Sequence, residues 1–573
     1  MKKSVSETYL LRIRLLTAVC VCIMLVIIGR LYYLQVMRGY AYASRANAQF
    51  VLPASPLLDR GAIYFLDKNG TLLSGAVLKE GFSIAINPTK VVDAEALWRA
   101  LSGYLKLSHD DFIAKATKAG TQYQLVAEHL ASEAGKVLEG QNLPGLIIQD
   151  DRWRFYPGGS LAAQEIGFVA YNADLQQGRY GLERYYEDTL ARQSGDLYAN
   201  FFVEIFGGVR SALSGTPEQG DIITTIEPSV QSELERQLSA YDNAWHPKLS
   251  GGIIMNPQNG EIYALAVSPT FDLNDFKKQT DPLIYANPLV QNDYEMGSIV
   301  KPLTMAAGID SGAVTENTTY NDTGCITLDK KTICNFDHKA RGVVPMQQVL
   351  SQSLNLGASF IATRMGSTTM RNYFLDHYML GTTTGIDLPA EIHGIVGNLQ
   401  SPRAVEYDTA SFGQGIAMTP IETARALSTL ANGGFLVTPH LVKQIRYTTG
   451  ITKDIDWGPK IAVLKPETTV IVSRMLTSVV DLSLANGKDK LDGYSVAAKT
   501  GTAQIANPQG GGYYTDRFLH SFFGYFPSYD AKFIIFLFAV EPHGAKYASE
   551  TLAPPWHSLT QFLINYYAVP PDR

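Results

Sequence analysis

Three short motifs, each present once and in one order, constrain this fold more than any other feature: Ser298-Ile299-Val300-Lys301, Ser353-Leu354-Asn355 and Lys499-Thr500-Gly501. The first two begin 55 positions apart and the third lies 146 further on, so any shared chemistry requires distant segments to converge. A lone S-x-x-K is weak, because chance supplies roughly one or two in a chain this long. Together the three offer a nucleophile, two candidate proton carriers and an anion-binding strand. That is the equipment of a serine acyl-transfer enzyme.

Ser298 reads as the start of a helix, with Pro302 tolerated in a first turn whose amides have no intrahelical partner. On that helix Ser298 and Lys301 are i and i+3, within reach of one another. A serine hydroxyl is a poor nucleophile at neutral pH, and a lysine whose pKa falls on burial can serve as its base. Between two helical patterns, Ser353 can relay a proton, while Asn355 can donate to a substrate amide and hold Lys301. Lys499 follows an apolar β-type run and is placed on an edge strand. There Lys499 and the hydroxyls of Thr500 and Thr502 suit a carboxylate, and Gly501 lets a substrate backbone come close. The amides of Ser298 and Thr502 are the natural oxyanion donors. Taken singly, each motif is explained as well by a cap, a turn or a bulge; three in order are not.

At 573 residues the chain suggests two to four domains, and 46% hydrophobic with 18% charged residues is a globular composition. A net charge of −6 gives no footprint for nucleic acid, and no zinc-type Cys/His spacing or cofactor motif is present. After Lys2, Lys3, Arg12 and Arg14 comes an apolar stretch, Leu15–Val36, of 22 residues. That length suffices to cross a hydrocarbon core, which takes about 20. The basic flank predicts residues 1–14 in the cytoplasm and a single-pass anchor over 15–36, with Arg30 snorkelling at the outer end. The rival reading is a signal peptide cleaved near Ala41-Tyr42-Ala43. Cys20 and Cys22 fall inside the apolar stretch. Cys325 and Cys334 flank a short hairpin pattern and are either a disulfide across it or two reduced thiols.

Residues 37–220 carry no catalytic motif and read as an α+β module, with helical patterns near Asp93–Leu105 and Ala127–Leu138 and a turn at Asp67–Gly70. From about residue 221 to 573 the pattern changes. Hairpins at 251–267 and 522–540 bracket a largely helical middle, 303–430. Strands at both ends with helices between them predict an α+β sandwich whose central antiparallel sheet is assembled from distant segments.

These residues resemble the class B penicillin-binding proteins, monofunctional D,D-transpeptidases that crosslink peptidoglycan. Arg60-Gly61-Ala62-Ile63 with Asp67–Gly70, Arg154-Phe155-Tyr156-Pro157-Gly158 and Gly181-Leu182-Glu183 are similar to motifs of that family's pedestal, or dimerisation-like, module. Phe412-Gly413-Gln414-Gly415, Thr419-Pro420 and Ala431-Asn432-Gly433-Gly434 are similar to motifs of its transpeptidase domain. The resemblance implies Ser298 as the acylated nucleophile and Lys301 as general base. It makes Ser353 and Asn355 the second motif, and Lys499, Thr500, Gly501 and Thr502 the site of the donor's terminal carboxylate. The implied substrates are D-Ala-D-Ala stem peptides and an acceptor amine, with β-lactams as covalent inhibitors and no cofactor or metal. Implied partners are a membrane-embedded glycan polymerase and division or elongation proteins, at the outer face of a bacterial inner membrane. The division-type branch fits better than the elongation-type, which the Cys325/Cys334 pair resembles. Met296 departs from the family, where proline very often precedes Gly-Ser. The competing functions are a catalytically idle scaffold or β-lactam receptor, and a D,D-carboxypeptidase.

Overall fold

The computed structural model describes Met24 and residues 58–172, 175–192, 219–487 and 489–573. One expectation is corrected at once. Among the described residues no helix is long and apolar enough to cross a membrane, so the expected transmembrane helix, and the single-pass placement that rests on it, are not found there. The longest described helix, Pro228–Trp245, has 18 residues and carries Glu233, Glu235, Arg236 and Asp242, a polar face that suits water and not lipid. Apart from Met24, the stretch Leu15–Val36, with Cys20 and Cys22, and the Ala41–Ala43 site lie outside the described residues.

Residues 58–573 form one compact unit. Its centre is a five-stranded antiparallel sheet in the order Ala497–Ala506, Tyr513–Phe526, Phe533–Val540, Leu249–Met255 and Ile262–Ser268. Along Phe533–Val540 the side chains alternate between two cores. Phe533, Ile535 and Leu537 pack with Val230, Leu234, Leu559 and Leu563 from the helices Pro228–Trp245 and Ala553–Tyr566. Ile534, Phe536 and Phe538 meet the larger helical core on the other face. A strand buried on both faces reads as an unbroken apolar run, which is how Phe533-Ile-Ile-Phe-Leu-Phe-Ala-Val540 is written.

A second sheet, of seven strands, ties the N-terminal module to the C-terminal half. Ile63–Leu66 pairs antiparallel with the long strand Leu72–Ile86 and parallel with Gly220–Thr224, which in turn pairs with Val442–Tyr447. The turn predicted at Asp67–Gly70 is made by Asp67 Oδ1, which accepts from the amides of Asn69 (2.9 Å) and Thr71 (2.6 Å), with Gly70 at φ +83°. One helical expectation fails in part. Gln124–Ala131 is a strand paired with Leu72–Ile86, and the helix covers only Ser132–Gly140. An available strand partner outweighs the modest helical bias of Ala127–Leu130.

The three module motifs that sequence alone left without a physical reason meet in one place. Glu183 is fully buried, and its carboxylate accepts from Arg60 Nε at 2.5 Å and Arg154 Nε at 2.6 Å. Arg60 Nη2 donates to the Glu183 carbonyl (2.6 Å) and to Glu187 Oε2 (2.7 Å), and Arg154 Nη1 donates to the Gly61 carbonyl at 2.7 Å.

Candidate active site

The nucleophile motif opens as a tighter turn than expected. Gly297–Val300 is a 3-10 turn, and the α-helix runs Lys301–Asp310 with Pro302 in its first turn. Gly297 has φ +66°, and its N–H donates to the Gly413 carbonyl at 3.1 Å. A Cβ on Gly413 would lie 2.3 Å from the Gly297 oxygen. The Phe412–Gly415 motif is therefore the floor under the nucleophile turn, and only glycine permits the approach. Met296 is buried, and its carbonyl accepts from Ser521 Oγ at 2.9 Å. That bond fixes the approach to Ser298 at the position where proline was the expected residue.

Lys301 is 1% exposed. Its Nζ lies 3.0 Å from Ser298 Oγ, 2.6 Å from the Ser353 carbonyl, 3.2 Å from Ser353 Oγ and 2.8 Å from Asn355 Oδ1. Burial, with the nearby Lys499 charge added, holds the amine well below the usual lysine range. A neutral amine has two hydrogens and one lone pair. The two nearest acceptors, Ser353 O and Asn355 Oδ1, take the hydrogens, which leaves the lone pair for the Ser298 hydroxyl. Ser353 reaches this position with φ +54°, a left-handed backbone that is costly for a serine and brings both its carbonyl and its hydroxyl to Lys301. Asn355 begins the helix Asn355–Met365, and its Nδ2 donates to the Cys334 carbonyl at 2.9 Å. That bond uses one of its two amide hydrogens.

Lys499 lies on the edge strand of the five-stranded sheet, as its sequence context predicts. It is buried, donates to the Thr500 carbonyl at 2.8 Å, and is pulled by burial down to about 7. Gly501 sits opposite Ser521, and a Cβ there would lie 2.3 Å from Ser521 Oγ and 2.8 Å from the Met296 carbonyl. Its small size therefore also protects the bond that holds the nucleophile turn. Thr502 Oγ1 accepts from the Ala548 N–H at 3.0 Å, so its own hydrogen remains available to an anion.

Ser298, Ser353, Asn355, Lys499, Thr500 and Thr502 line a single cleft of about 1160 Å3, with Lys301 beneath it. The charged residues of the lining are Lys331, Arg341, Lys499 and Lys546 against Glu406. A cationic cleft in a protein of net charge −6 favours an anionic ligand. Cys325 and Cys334 are joined by a disulfide across the hairpin Cys325–Cys334. With His338 they are the one grouping of metal-type ligands among the described residues, and both sulfurs are occupied by that bond.

Sequence reasoning missed Glu295. Its carboxylate accepts from the Gly415 N–H and the Tyr513 hydroxyl, each at 3.1 Å, and burial pushes its pKa up. The partners lie 120 and 218 positions away, and nothing in the local pattern signals them.

The comparisons agree with this geometry. Residues 251–557 match the penicillin binding protein transpeptidase domain and residues 58–201 the penicillin-binding protein dimerisation domain. The chain is 30% identical to stage V sporulation protein D of Bacillus subtilis, over 93% of this chain and 82% of that protein. It is 25% identical to the peptidoglycan D,D-transpeptidase FtsI of Escherichia coli, over 94% and 89% respectively. The structure of penicillin binding protein 2X from Streptococcus thermophilus shares the fold, with a TM-score of 0.71 at 21% identity over 89% of this chain and 80% of that one. With both domains matched, and Ser298, Lys301 and the edge-strand Lys499 gathered at one cleft, the chain belongs to the class B penicillin-binding proteins, the serine D,D-transpeptidases that crosslink peptidoglycan.

Proposed function

We propose that Ser298 is the residue acylated by the donor stem peptide and that Lys301 is the base that activates it. The observation that carries this reading is the buried Lys301 amine, 3.0 Å from Ser298 Oγ with two other acceptors for its hydrogens. Ser298 Oγ attacks the penultimate D-Ala carbonyl as its proton passes to Lys301 Nζ. The amides of Ser298 and Thr502 receive the developing oxyanion. The C–N bond then breaks, and Ser353 Oγ, 3.2 Å from Nζ, relays the proton to the departing D-Ala amine. An acceptor amine next attacks the ester, gives its proton to Lys301 and releases Ser298 with its hydrogen restored. Lys499, Thr500 and Thr502 hold the donor's terminal carboxylate, in keeping with the cationic lining.

In this reading residues 221–573 carry the chemistry, and the module within 37–220 is a docking platform. Incubating the full chain with labelled penicillin and mapping the adduct should place it on the peptide that carries Ser298, where it persists. An adduct on another residue would overturn the assignment. Rapid release of hydrolysed drug would favour a carboxypeptidase.

The carboxylate site predicts a pH effect. The Lys499 ammonium predominates below about pH 7 and is lost above it, so donor affinity falls as pH rises. KM for a D-Ala-D-Ala donor should climb through pH 7 toward a limit of about tenfold per unit. Lys499→Met should have a high KM that is flat over the same window. A wild-type KM that does not change between pH 6 and 9 would remove Lys499 from carboxylate binding.

A further inference from the structure

We propose that Asn335 is a positioning residue for the catalytic apparatus, held in place by the buried carboxylate of Asp322. The inference rests on the proposed roles of Ser298, Lys301 and Asn355. The helix Asn355–Met365 begins with no cap of its own: its N-cap is Leu354, which has no polar side chain, and Ser353 is engaged with Lys301. Yet the first amides of a helix need acceptors from outside it. The Leu356 N–H finds one across the cleft wall, in Asn335 Oδ1 at 3.2 Å. One residue back on each segment, Asn355 Nδ2 donates to the Cys334 carbonyl at 2.9 Å. The dipeptides Cys334-Asn335 and Asn355-Leu356 are thus joined by two bonds, one of them through the side chain that holds Lys301 Nζ.

Asn335 is itself fixed. It is 1% exposed, as is Asp322, and its Nδ2 donates to both Asp322 oxygens, at 2.9 and 3.0 Å. Its own N–H donates to the Gly324 carbonyl at 2.9 Å, and the Gly324 N–H donates to Asp322 Oδ1 at 3.2 Å. The amide orientation is unambiguous, because one end faces a backbone donor and the other a carboxylate. A two-ended connector between a buried charge and the helix start beside Asn355 sets where Asn355 Oδ1 lies. Displacing that oxygen loosens the base without touching the donor's carboxylate site.

The test exchanges the two residues. Asn335→Asp alone sets two carboxylates against each other and removes the donor. We expect penicillin acylation of the full chain to slow by roughly 10- to 100-fold, as small displacements of reacting groups do. Donor KM should change less than the acylation rate, because Lys499, Thr500 and Thr502 of the carboxylate subsite keep their places. The acid limb of the pH–rate profile should move, since both the displaced Asn355 oxygen and the added carboxylate act on the Lys301 ammonium. The double variant Asp322→Asn/Asn335→Asp rebuilds one amide–carboxylate bond with the roles reversed and keeps acceptors for the Leu356 and Gly324 N–H groups, so it should return to within about tenfold of wild type. If Asn335→Asp does not fold, the double variant still decides: folded but slowed by more than about tenfold, it overturns the proposal. A folded Asn335→Asp with the wild-type rate and pH profile overturns it too. Wild-type adduct mapping separates the two hypotheses, because an adduct away from Ser298 defeats the underlying reading, whereas one on Ser298 with an indifferent Asn335 defeats this inference alone.

Discussion

Lys301→Met slows acylation of Ser298 by penicillin about 10³-fold, within the range for loss of a positioned general base. The substitution keeps an unbranched side chain in a fully enclosed site and removes only the amine. Two opposing terms govern the fold. The Ser353 carbonyl and Asn355 Oδ1 lose their donor, at about 1–3 kcal/mol for each acceptor left unpaired. Against this, the desolvation that drives the lysine pKa down disappears. The melting temperature is therefore expected to stay near the wild-type value while the rate collapses. The pH dependence separates a base from a structural residue. Lys301 is neutral above its lowered pKa, so the wild-type rate falls on the acid side as the amine takes up a proton. The variant should lack that limb. Lys301→Arg should be at least as slow, since a guanidinium stays charged throughout. A Lys301→Met protein within tenfold of wild type, with the acid limb intact, would transfer the role of base to another group.

How much of this was legible in the sequence follows from the range of each interaction. Ser298 and Lys301 lie in consecutive turns of one helical segment, so their contact can be read from spacing. The edge-strand placement of Lys499 follows from the apolar residues Val496–Ala498 before it. Ser353 and Asn355 were legible as a pair, but the left-handed backbone that turns the Ser353 carbonyl onto Lys301 was not. Such conformations are imposed by surrounding packing and leave no local signature. Asn335, Asp322, Glu295 and Ser521 act through partners in other segments and belong to no motif, so they emerge only in three dimensions. The glycines of Phe412–Gly415 were visible as a motif without a reason; the reason is the Gly297 carbonyl, 2.3 Å from where a Cβ on Gly413 would stand. For the apolar stretch Leu15–Val36 hydropathy alone suggested a spanning helix, and among the described residues no helix is long and apolar enough to span.

The largest stability effect is expected far from the cleft, at Glu183. Replacing it with alanine leaves Arg154 with no carboxylate partner, and leaves Arg60 only Glu187. Both guanidinium groups are nearly inaccessible to water, at 1% and 4% exposure. Removing one member of a buried ion group costs about 3–5 kcal/mol, chiefly because the remaining charge cannot be solvated. Glu183→Gln retains one acceptor and should fall between alanine and wild type. The loss should spread beyond the module. Arg60 precedes the strand Ile63–Leu66, whose parallel partner Gly220–Thr224 connects through Val442–Tyr447 to the C-terminal half. Chemical denaturation of Glu183→Ala should accordingly show an earlier midpoint of the transition that includes this sheet. Acylation of the protein that remains folded should stay within about threefold of wild type, because no residue of the cluster lines the cleft. The converse experiment tests the mechanism behind the number. Replacing Arg60, Arg154 and Glu183 together by Met, Leu and Leu removes the three most buried charges at once and leaves Glu187, which is 27% exposed and still accepts from the Gly178 N–H; such exchanges are often neutral or stabilising. If the triple variant is destabilised as much as Glu183→Ala, the cluster acts through hydrogen bonds to the Gly61 and Glu183 carbonyls, and the unpaired charge is not the source of the loss.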